Sequence, residues 1–92
     1  MQLDIIAAIH AFEAWDLPWT FLSNVMTWPT LTVADRTTTQ ELWKEACDAH
    51  HWQHADSAQN AAASNLALQE RFPWLTERAR AQLVRAASYE WK

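Results

Sequence analysis

The chain has no glycine. Glycine ordinarily fills the φ > 0 positions of tight hairpins and helix C-caps. Its absence argues against a hairpin-rich sheet and for helices joined by Pro, Asp, Asn, Ser and Thr. There is one cysteine, Cys47, which excludes an intrachain disulfide and suits a reducing, cytoplasmic compartment. Prolines stand only at 18, 29 and 73, so residues 39–72 carry no helix breaker of either kind. No apolar run approaches the ~20 residues of a transmembrane helix. The start, Met1-Gln2-Leu3-Asp4, lacks the basic segment of a secretory signal. The sequence also has no Gly-rich phosphate loop, no nucleophile elbow, no paired CxxC and no HExxH. These absences point away from an enzyme.

Tryptophan is what the chain has in excess, seven in 92 residues. Much of the 50% apolar fraction is alanine, as in Ala61-Ala62-Ala63, so the indoles carry a large share of the burial. Each aromatic side chain can bury about 150–250 Å². Seven are more than so small a core hides, and full burial of Trp is uncommon, so about four in or near the core and about three exposed are expected. Trp43 falls on an apolar helix face, and Trp28, Trp52 and Trp91 fall off such faces or at their ends. Trp15, Trp19 and Trp28 flank the breaks at Pro18 and Pro29 and are placed to cluster around a second helix.

The length suits a single domain, 1–92, of four to five short helices in an all-α bundle. Ile5, Ile9 and Phe12 at i, i+4, i+7 predict a first helix over 2–15. Pro18 suits the first position of a second, over 18–27, which Pro29 ends. Thr30-Leu31-Thr32-Val33-Ala34 alternates and is β-branched, which predicts an extended segment near 30–36. Thr38-Thr39-Gln40-Glu41 matches a capping box and predicts a third helix over 39–54. Asp56-Ser57 offers an N-cap for a fourth over 57–71, facing Ala61, Ala62, Leu66, Leu68 and Phe72 inward. Thr76 caps a last helix over 77–90, burying Ala79, Leu83 and Ala86.

The net charge of −4 is unevenly spread. Residues 1–56 hold eight acids against Arg36 and Lys44, net −6; residues 57–92 hold three acids against five basic residues, net +2. An acidic surface disfavours nucleic acid and favours a basic protein partner.

Three clusters offer chemistry. In a helix over 39–54, Cys47, His50, His51 and His54 fall within an arc of about 100°. Cys47, His50 and His54 are then candidate ligands for Zn²⁺, although one helix rarely closes a site and a second segment or second copy would be needed. Cys47 with His50 or His51 as a nucleophilic pair is disfavoured by Glu45 and Asp48, which raise the thiol pKa. Arg71, Arg78 and Arg85 form a sparse basic stripe, with Trp74 or Trp91 available to stack a base, but a nucleic-acid surface usually carries denser positive charge.

The reading that survives is a non-enzymatic module binding a protein partner, or a second copy of itself, without a membrane. Trp28, Trp52 and Trp91 are the expected anchors, with Glu41, Glu45 and Asp48 steering a basic partner. In size, charge and lack of catalytic motifs the chain resembles the small acidic helical proteins of phages and mobile elements. That resemblance implies an inhibitor that binds and blocks another protein, as anti-CRISPR and immunity proteins do.

Overall fold

The three long helices each start on a side-chain cap. In the computed structural model, which describes residues 2–91, α1 spans Gln2–Ala11, α2 Phe21–Met26, α3 Val33–Ala46, α4 Ser57–Arg71 and α5 Glu77–Glu90. Short 3-10 turns at Pro18–Thr20 and Ala49–His51 precede α2 and follow α3. No strand occurs among the described residues. The Asp56 carboxylate accepts from Ala58 N–H and the Thr76 hydroxyl from Ala79 N–H, so α4 and α5 begin where their caps predict.

α3 begins six residues before its predicted start, and the extended segment near 30–36 is corrected. Thr32 is the N-cap. Its hydroxyl accepts from Asp35 N–H at 3.0 Å, and the Asp35 carboxylate accepts from Thr32 N–H at 3.0 Å. This reciprocal pair is a capping box, and it wins over Thr38 because it lets Asp35, Thr39, Leu42 and Ala46 share one buried face. Thr39 joins the helix interior by donating to the Asp35 carbonyl at 2.8 Å.

α3 also ends at Ala46 rather than at 54, so α3 and α4 are not continuous. Asp48 leaves helical geometry (φ −57°, ψ 126°), and its carboxylate accepts from His50 N–H. The carbonyls this stop exposes find side-chain donors, as helix ends require. Ala46 O accepts from Trp52 Nε1 and from Ser64 Oγ, both at 2.8 Å, and Cys47 O accepts from Trp91 Nε1 at 2.8 Å. Indoles here do what a C-cap glycine does elsewhere. No described residue has positive φ.

α1 stops at Ala11, four residues short of its predicted end. Gln82 of α5 donates to the carbonyls of Ile9 and Phe12, and Phe12 turns into the core. The α2–α3 connection is held by Arg36, whose guanidinium donates to the carbonyls of Met26, Leu31 and Trp28.

α5 is the central element, packing on α1, α3 and α4. It buries Ala79, Leu83, Val84, Ala86 and Ala87 against Ile5, Ile9, Phe21, Leu42 and Leu68. The inward face of α4 is Asn60, Ser64 and Leu68, so Ala62 and Leu66, expected inside, are exposed. Asn60 explains the shift: its amide accepts from His54 N–H and donates to His54 O, fixing the turn between α3 and α4.

Candidate functional site: an aromatic cleft beside α5

Pro18 shapes a concave surface beside α5. Leu17, ahead of the proline, is pushed out of the helical region (φ −127°, ψ 61°), and Pro18 opens the 3-10 turn. That turn lies against α5 and holds Trp19 outward, 70% exposed. Behind it the rings are fixed by one another. Trp15 meets Phe12 edge-on at 4.8 Å and lies near-parallel to Phe21 at 6.1 Å and to Tyr89 at 6.4 Å. Phe21 stacks in turn on Trp43 at 5.8 Å. The Arg85 guanidinium sits 4.1 Å above the Trp15 ring, inside the range of a cation–π contact.

Trp15, Trp19, Trp43 and Tyr89 line a cleft of about 370 Å³, with Pro18, Leu22 and Ala86 as its aliphatic wall. Asp16 and Glu90, both exposed, complete it. A second cleft of about 250 Å³, beside Trp28 and Phe12, is walled largely by alanine.

The predicted anchors are placed differently. Trp28 and Trp52 are half-buried and packed against the core, and the Trp52 N–H is committed to Ala46. Trp91 is 46% exposed but tied to Cys47 O. Five indoles therefore pack against the core and two are exposed, Trp19 and Trp91. Trp19, the most exposed, was legible only as one of the group flanking Pro18. The acidic set is partly spent internally. Arg71 bridges Glu41 at 3.1 Å and Glu45 at 3.5 Å, Glu45 also meets His51 at 2.9 Å, and Asp48 caps the 3-10 turn.

The other clusters lose their geometric premise. Cys47 is the C-cap of α3, His50 and His51 lie in the 3-10 turn, and His54 lies beyond it, so the shared helical arc does not form. Among the described residues no three His, Cys, Asp or Glu side chains gather as a metal site. Burial, with the Glu90 charge second, pushes the Cys47 thiol up to about 12, which opposes a nucleophilic thiolate. In the basic stripe, Arg71 is paired with α3, Arg78 donates to His10 O at 3.5 Å and Arg85 covers Trp15. No described helix is long and apolar enough to cross a membrane.

No protein-family model, curated protein or solved structure matches this chain.

Proposed function

We propose that this chain is a non-enzymatic interaction module that binds a protein partner through the Trp19 cleft. The observation that carries this reading is Trp19 itself, 70% exposed at a cleft whose other rings are held by packing. Interface hot spots favour Trp and Tyr set in well-packed pockets. Rings already fixed by neighbours lose little freedom when a partner docks. A cleft of about 370 Å³ lies at the small end for ligand sites, with room for one or two side chains. The acidic balance of residues 1–56 favours a basic partner. Blocking such a partner, in the manner of a small phage or mobile-element inhibitor acting in the cytoplasm, is the biological form we assign to this activity.

The test compares tagged wild type with Trp19→Ala in nuclease-treated lysate of the source cells. The expected result is a stoichiometric protein partner with wild type and its loss with the variant. Equal capture by both would overturn the assignment to this cleft.

A further inference from the structure

Resting on the reading of this cleft as a partner site, we propose that its occupant is the ammonium of a lysine side chain on a basic segment of the partner. Trp15, Trp19, Trp43 and Tyr89 line one small cleft from three parts of the chain: the 15–19 connection, α3 and α5. Aromatic faces carry a negative quadrupole and attract cations within about 6 Å of the ring centre. An aromatic lining alone would also suit an apolar side chain. What separates the two is charge: Asp16 and Glu90 line the same cleft, and neither has an ion pair among the described residues.

The cluster already uses its quadrupole, because Arg85 sits 4.1 Å over Trp15. The stacking position that a planar guanidinium would take on that ring is therefore occupied by the chain's own arginine. Among the described residues the Asp16 and Glu90 carboxylates outweigh the Arg85 charge, so the cleft favours a compact second cation. An ammonium on a four-carbon stem fits: the stem lies along Pro18, Leu22 and Ala86 while the head meets rings and carboxylates. The residues flanking that lysine are then drawn by the acidic first half of the chain.

NMR of the full chain tests this, reading the Trp19 indole and Tyr89 ring signals. The probes are a capped five-residue peptide with one central lysine, its norleucine counterpart, a nine-lysine peptide, and choline. The lysine peptide should move both signals saturably, the norleucine peptide should bind at least about fivefold more weakly, and nine lysines should bind more tightly than one. Asp16→Asn and Glu90→Gln should each weaken the lysine peptide by about two- to fivefold, with signals outside the cleft unmoved. Equal binding of lysine and norleucine peptides would overturn the cation and leave an apolar partner site standing. Tighter binding of choline than of either lysine peptide would assign the cleft to a free small cation and overturn the partner segment. If no probe moves a cleft signal, the lysine proposal falls, and capture by Trp19→Ala decides the parent reading separately.

Discussion

The indole N–H of Trp52 donates to the carbonyl of Ala46 at 2.8 Å, closing α3 from six residues downstream. Ser64 donates to the same oxygen from α4, so one carbonyl joins a helix end, the turn after it and the next helix. Trp52→Phe keeps most of the packing and removes the donor. A loss of about 1–2 kcal/mol in urea unfolding is expected. Unchanged stability would mean that Ser64 satisfies the carbonyl alone.

The start of α3 can be tested at two threonines. Thr32→Ala removes a capping box and should cost about 1 kcal/mol. Thr38→Ala lies inside the helix and should stay within about 0.5 kcal/mol of wild type. The reverse order in chemical denaturation would return the helix start to Thr38.

His10 gives α5 a pH-sensitive neighbour. The Thr76 hydroxyl accepts from Ala79 N–H, which leaves its own proton to donate to His10 Nε2 at 2.8 Å, a bond that neutral imidazole accepts. Burial, and then the Arg78 charge, lower the His10 pKa. The unfolded chain therefore binds this proton first as pH falls, and the contribution present at pH 7 is lost progressively from about 6.5 down to the lower value of the folded chain. His10→Gln keeps an acceptor without titrating. Its stability should fall less than that of wild type between pH 7 and pH 5, as followed by thermal melts; parallel curves would remove His10 as a source.

Cys47 should be unreactive. A thiol pushed up to about 12 from 9.0 holds about a thousandfold less thiolate at pH 8. Alkylation by iodoacetamide should be slow in the native chain and fast in urea. The same shift makes stability decline as pH rises from 9 towards 12, since the unfolded state loses this proton first. Fast native alkylation would show that the thiol is not held in this environment.

Where a cap stood directly before an apolar repeat, the sequence was readable. Asp56 and Thr76 place α4 and α5 at their observed bounds. Where the buried face is polar, it was not. Asp35 and Thr39 of α3, and Asn60 and Ser64 of α4, are buried because their side chains serve nearby backbone, and an apolar count passes over them. The pattern from Thr30 to Ala34 looks like a strand because it alternates and is β-branched, but Val33 is 82% exposed and begins a helix instead. For the site, counting tryptophans indicated that some reach the surface. Of the three named from their positions, Trp28, Trp52 and Trp91, only Trp91 is exposed; Trp52 and Trp91 are both drawn to carbonyls that appear only once α3 stops at Ala46.

The lack of glycine narrows the denatured ensemble. An average chain of this length would carry about six glycines, each widening the set of unfolded conformations. No described residue of this one needs that freedom, since none has positive φ. A β-carbon in place of glycine at a compatible position stabilises by about 0.4–1 kcal/mol, through lost unfolded-state entropy. Part of this small protein's stability thus resides in how little its disordered chain can explore.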